Sequence, residues 1–404
     1  MLTSSGIPVA SEADHSAADP ARPTLFCFSH LRWDFVYQRP QHLMSRFARE
    51  MTVVFWEEPK DIEPRETAFL KVRQAEDFPN VRVVTPHLPK GLDEATRDEA
   101  LRRLLDAHVA VYARPLISWY YTPMMLSFSR HLDASVVVYD CMDELSKFRF
   151  APEKLLDLEQ ELIDRADLVF TGGSSLYEAK KSRHNSVHCF PSSVDRAHFT
   201  KARRELEQPS DQAELKHPRL GFYGVIDERF DIDLLREAAD MRPDWSFVMV
   251  GPVVKIGEDE LPRAANIHYL GGKTYEQLPA YLSGWDVALM PFAMNESTQF
   301  ISPTKTPEYL AGGKPVVSTP VRDVVRSYGH LQGVHIAHDA EGFVRCCEKA
   351  LEQSREGGDW LAQADLLLSA TSWDTTQARM SGLIDEVLGE RTGEEAPALL
   401  VAAE

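Results

Sequence analysis

The chain has 404 residues, with 44 Lys and Arg against 62 Asp and Glu, a formal net charge of −18 with histidines neutral. That length suits two or three domains, each able to bury its own core, and the 44% hydrophobic and 26% charged fractions are those of a folded globular chain. A surface this acidic repels phosphate backbones and no run of Lys or Arg exceeds two residues, which excludes nucleic acid as the main partner.

The five cysteines (Cys27, Cys141, Cys189, Cys346 and Cys347) lack the CxxC-type pairing of a zinc site or disulfide framework, so no metal is expected and the thiols read as reduced. No stretch approaches the roughly 20 apolar residues of a membrane span. Residues 1–22 lack the basic and apolar regions of a secretory signal and read as a flexible leader, so the expected location is cytoplasmic.

From residue 24 onward, short apolar runs alternate with amphipathic segments, the pattern of a parallel sheet with crossover helices. Strands are expected at 24–28, 51–56, 81–84, 110–112, 117–121, 136–139, 168–171 and 187–190. One helix begins at Pro40 with Leu43, Met44, Phe47 and Ala48 on a face, and another carries Leu155, Leu158, Leu162 and Ala166. Residues 200–217 hold almost no large apolar side chains and read as a linker. The alternation then restarts, with strands at 220–223, 246–250, 267–270, 287–290, 315–318 and 334–337. Helices are expected at 231–239, 275–283, 305–311, 342–353 and, last, 373–388.

The fold class is therefore α/β, as two Rossmann-like domains facing across a cleft. The boundaries read as a leader 1–22, a first domain 23–199, a linker 200–217, a second domain 218–370, a C-terminal helix 371–390 and a tail 391–404.

The most informative segment is 301–319, ISPTKTPEYLAGGKPVVST. Either Ser302 caps a helix with Pro303 in its first position, or Thr306 caps one that begins at Pro307. Both place a helix N-terminus, which attracts anions, beside Lys305 and Glu308 three residues apart on one face. A cation there suits a diphosphate, and a carboxylate one turn later can accept both hydroxyl hydrogen bonds of a ribose.

With Tyr309, Ala311, Gly313, Lys314, Pro315, Val316 and Val317, these residues resemble the donor-binding helix of glycosyltransferases of GT-B fold, especially family 4 of the group 1 type. LGFYGVIDERFDID (220–233) resembles that family's first donor-domain strand and glycine loop. YEQLPAYLSGWDVALMPF (275–292), PSSVD (191–195) and SWD (372–374) resemble its helix–strand unit, interdomain turn and return crossing. The resemblance implies a nucleotide-binding role for Gly224, Arg229, Ser302, Lys305 and Glu308, and a C-terminal helix packed on the first domain. Two positions depart from the family pattern: Phe300 stands where an E-x7-E pair would begin, and Val225 stands where an Arg is usual, leaving Arg229 as the nearby cation. The stereochemical outcome is left open.

In the first half, SHLRWDFVYQRP (29–40) lies between a strand and a helix, so His30, Arg32, Trp33, Asp34, Tyr37, Gln38 and Arg39 are expected to line the cleft. Aromatic and hydrogen-bonding groups together suit a sugar. Asp140 ends a strand and is read as the carboxylate near the reacting centre, with Asp34 as a second catalytic candidate; Asp143 is read as a helix cap. His42, His184, His188 and the aromatics of 275–283 are read as structural.

The expected function is transfer of a sugar from a nucleoside diphosphate sugar, UDP-linked by preference, to a hydroxyl of a glycan or lipid-linked saccharide, with no metal and no separate cofactor. The alternatives are a nucleotide-sugar epimerase of the same fold and a silent nucleotide-sugar- or glycan-binding subunit. Residues 98–106 and 114–125 are the stretches that could bring the protein to the inner face of the membrane.

Overall fold

The computed structural model describes residues 22–204 and 206–392, so the expected leader and tail lie almost wholly outside the described residues. Two sheets dominate. The first contains β1 (Thr24–Ser29), β2 (Thr52–Glu57), β3 (Lys60–Ile62), β4 (Phe69–Ala75), β5 (Phe78–Pro89), β6 (Leu116–Tyr120), β7 (Val136–Cys141), β8 (Leu168–Thr171) and β9 (Val187–Cys189). Its order is β3-β5-β2-β1-β6-β7-β8-β9, parallel throughout except that β4 runs antiparallel on β5. The second, all parallel, contains β10 (Arg219–Tyr223), β11 (Ser246–Val250), β12 (Ile267–Tyr269), β13 (Val287–Met290), β14 (Val316–Ser318) and β15 (Val334–Ile336), ordered β12-β11-β10-β13-β14-β15.

Period-two alternation explains how the first sheet is covered on both faces. From β1, Leu25 and Cys27 enter one core with the helix Arg39–Phe47, while Phe26 and Phe28 enter the other with the helix Glu94–Val109. The first of these cores is completed by Trp373, Met380 and Ile384 of the last helix, Trp373–Thr392, which crosses back from the second half.

Two expectations are corrected here. Residues 110–112 form no strand: Leu101, Leu104 and Leu105 recur at helical spacing, and the helix they bury runs to Val109 before a turn. Of the stretches read as able to approach a membrane, 98–106 turns Leu101, Leu104 and Leu105 into the core and leaves Arg102 and Arg103 exposed. Residues 200–217 are not a free linker. Ala202 is buried in the second core, Arg203 donates to the Ala311 carbonyl at 2.7 Å and pairs with Asp365, and Gln212 is buried against Tyr281 and Trp285. Polar side chains anchor this segment, which is why an apolar pattern could not reveal its docking. The passage between halves lies instead near 190–195, since Phe190 belongs to the first core and Val194 to the second.

Strand order fixes where a ligand can sit. The direction of winding reverses between β1 and β6 in the first sheet and between β10 and β13 in the second, and the carboxyl ends of those strands open the crevices of doubly wound sheets. The two crevices face each other. The halves meet through Lys147–Glu296 at 3.3 Å, through Ser175, which donates to Asp323 from both its amide and its hydroxyl, and through Phe300, which packs on the first half's core. Among the described residues no helix is long and apolar enough to cross a membrane.

Candidate active site

The second half builds its wall of the cleft from the glycine loop and the helix Lys305–Ala311. Tyr309 ties them together: its hydroxyl accepts from the Tyr223 amide at 3.0 Å, clamping the helix under the end of β10. The helix starts at Lys305 with Thr304 as the preceding residue, not at Ser302–Pro303 or Pro307. Pro307 is accommodated because it falls in the first turn, where its missing N–H has no intrahelical partner to lose.

Gly224 has φ +143°, and a Cβ there would stand 2.1 Å from Lys305 Cε, so the lysine stem lies where only glycine leaves room. Gly221 serves packing instead of the turn: a Cβ would meet the Trp285 ring at 2.0 Å.

The charges are arranged around a shared cavity. Burial lowers the Lys305 pKa while Glu308 opposes that shift, and burial raises the Glu308 carboxyl to about 7 while Lys305 opposes it. The hydroxyls of Tyr223 and Tyr275 are buried there without a hydrogen-bond partner. Arg229 is held by Asp227 through Nε at 2.9 Å and Nη2 at 2.7 Å and lies over the Phe148 ring of the first half at 5.3 Å. Lys255, in the left-handed region at φ +65°, approaches the same ring at 4.8 Å.

The Glu308 shift has a measurable consequence. The folded chain holds a proton that the unfolded chain releases near pH 4.5, so stability is lost as pH rises from there through about 7. The loss is about 3 kcal/mol. Glu308→Gln should flatten that part of the pH–stability curve in denaturant titrations at pH 5 and pH 7.5; an unchanged slope would refute the assignment.

The cavity gathers Tyr37, Gln38, Arg39, Gly224, Arg229, Ser302, Lys305 and Glu308 from the residues singled out by sequence. It leaves out five. Arg32 donates to Glu57 Oε2 at 3.1 Å instead. Trp33 is buried edge-on against Phe55 and Phe78. Asp34 is 70% exposed, pairs with Arg73 and lines an adjoining groove that shares Tyr37 and Tyr275 with the cavity. His30 sits just past β1, where burial first and Lys255 second lower its pKa to about 4 and leave it neutral.

Asp140 is the main correction, because it is fully buried and cannot touch a substrate. Its carboxylate accepts from Arg39 Nε at 3.0 Å and Nη2 at 2.8 Å, while Arg39 Nη1 donates to the Phe190 carbonyl at 2.7 Å. The pair thus ties the ends of β7 and of the first half's last strand to the helix that opens at Arg39. Asp140→Asn would leave the guanidinium charge uncompensated, at about 3–5 kcal/mol. A calorimetric melt several degrees below wild type is expected; an unchanged melt would mean that the pair carries no structural charge.

The residue that faces the cleft is Asp143, three positions on. It does not cap the short 3-10 turn Leu145–Lys147, which follows Glu144. Its carboxyl lines the cavity opposite Arg229 and Lys305, and burial raises its pKa against the pull of Arg229. Tyr223, Lys273 and Tyr275 also line the cavity. The acidic cluster 140–144 was visible in the sequence, but which carboxylate turns outward depends on the strand end.

Comparison with known proteins agrees with this architecture. Residues 217–353 match the family model described as glycosyl transferases group 1. The chain is 29% identical over 259 residues to a Bacillus subtilis (strain 168) protein named for teichuronic acid biosynthesis as a glycosyltransferase, TuaH, the match covering 58% of this chain and 64%, less than two thirds, of that one.

Among solved structures it resembles sucrose-phosphate synthase of Thermosynechococcus elongatus, with a TM-score of 0.67 and 15% identity over 91% of this chain and 100% of that one. It also resembles HepE of Anabaena in complex with UDP and glucose, with a TM-score of 0.65 and 13% identity over 90% and 100%. At these identities the likeness shows the fold, which is GT-B.

Proposed function

We propose that this chain, GT-B in fold and with a second half that matches the group 1 glycosyltransferases, moves a sugar from a nucleoside diphosphate sugar to a hydroxyl of a cell-envelope glycan or lipid-linked saccharide. The observation that carries the reading is the set of unpartnered polar groups in the cavity. The Tyr223 and Tyr275 hydroxyls are buried without a hydrogen-bond partner beside Glu308, next to two half-buried cations, Lys305 and Arg229. A nucleoside diphosphate supplies both complements, ribose hydroxyls for the first and phosphate charge for the second.

In the reaction, Lys305 and Arg229 take up the charge that develops on the leaving diphosphate as the bond from the anomeric carbon breaks, a preorganised neutralisation supplied by side chains. Glu308 accepts from the ribose. Asp143 takes the proton of the reacting acceptor hydroxyl as that oxygen bonds to the anomeric carbon and the nucleoside diphosphate leaves as its anion. The curated relative's teichuronic acid assignment and the UDP and glucose bound to HepE favour UDP-hexose as donor and an envelope polysaccharide as destination.

A thermal-shift panel of UDP, GDP, ADP, dTDP and CMP on the wild type tests this. A nucleotide at 100 times its dissociation constant adds about 2.7 kcal/mol, enough to raise the melting temperature by several degrees. A shift with UDP is expected, and no shift with any of the five would remove the donor-site reading.

A further inference from the structure

Tyr275, read from sequence as packing, is the centre of a row of aromatic rings that joins the two halves. His198 stacks on it at 4.2 Å with 9° between planes, and Tyr37 of the first half meets it at 4.6 Å. Tyr37 stands edge-on to His42 at 4.7 Å, and His42 stacks on Trp373, where the last helix returns, at 4.6 Å. Beneath the row the two chain crossings are tied, with Ser193 Oγ 2.9 Å from Thr371 Oγ1 and 2.7 Å from Thr376 Oγ1.

The position of the Tyr275 ring is thus set by both halves, while its hydroxyl is buried in the cavity wall without a hydrogen-bond partner. Burial first, and the nearby Glu308 charge second, keep that hydroxyl protonated. A protonated, desolvated hydroxyl beside a carboxylate that can take ribose hydrogen bonds is itself a group awaiting a polar partner.

We propose that Tyr37 is a positioning residue of the nucleotide site: by packing its ring, tilted 31°, against Tyr275 it aims the Tyr275 hydroxyl at the ribose side of a nucleoside diphosphate held by Glu308. The inference rests on the donor-site reading above and adds a dependence of nucleotide affinity on a residue of the opposite half. Tyr37 itself lines the cavity, and its effect on the nucleotide is assigned to the aim of that hydroxyl. Removing the hydroxyl therefore removes Tyr37's influence, and the two substitutions are coupled.

The test is a double-mutant cycle on UDP affinity by calorimetry, with thermal melts of each nucleotide-free variant as a folding control. Tyr275→Phe should weaken UDP about tenfold and Tyr37→Ala about fivefold, whereas the double variant should be about tenfold weaker, not fiftyfold. Tyr37→Phe, which keeps the ring, should bind as wild type, a rescue that general loosening of the interface would not give.

Multiplicative losses, or a Tyr37→Ala variant with wild-type affinity, would overturn the inference while leaving the donor site standing. A wild type that binds no UDP would remove the donor-site reading and this inference with it.

Discussion

Lys305→Ala should lower the rate of sugar transfer by ~100- to 1000-fold, the range seen when a preorganised group facing developing negative charge is removed. The lysine is half-buried with its stem against Gly224, and desolvation lowers its pKa, with Glu308 as the opposing charge. An incoming diphosphate favours the ammonium form, and water offers weaker stabilisation in a partly desolvated site. The loss should appear in kcat and in UDP affinity but not in the affinity for uridine, which has no phosphate for the lysine to meet. Lys305→Met, which retains most of the volume over Gly224, should behave alike and separates charge from packing. Either variant turning over within threefold of wild type would sink the proposed role.

The second large effect is expected at Asp143. Asp143→Asn is isosteric and removes only the carboxylate, so the transfer rate should fall by ~100- to 1000-fold, within the range of acid–base assistance. UDP affinity should move the other way. Asp143 faces the same Arg229 and Lys305 that would hold the diphosphate, so its negative charge competes with the ligand, and neutralising it should tighten binding. A fall in rate with unchanged or tighter nucleotide binding marks a group acting on the reaction. Parallel loss of both would mark a structural one and refute the assignment.

The contrast between Asp140 and Asp143 shows where sequence reasoning ran out. Both belong to one acidic cluster after one apolar strand, and spacing says only that some carboxylate stands near the cleft. Asp140 is the last inward-facing position of β7 and meets Arg39, a partner 101 residues away that no local pattern reveals. Tyr275 shows the opposite error, since its aromatic character suggested packing. Its ring does pack, on His198 and Tyr37, but the packing leaves its hydroxyl in the cavity.

By itself the sequence determined the α/β class, the two sheets and the placing of Lys305 and Glu308 on one helix face, while the return of the last helix was implied by the family resemblance. The first three rest on periodicity and short-range spacing, which a chain expresses within a few residues. Only the tertiary structure decided that 200–217 docks on the second half, that Asp140 is spent on Arg39, and that Asp143, Tyr223 and Tyr275 complete the cavity. Each of these depends on contacts between residues remote in sequence, where burial and charge pairing are settled by which strand ends the fold brings together.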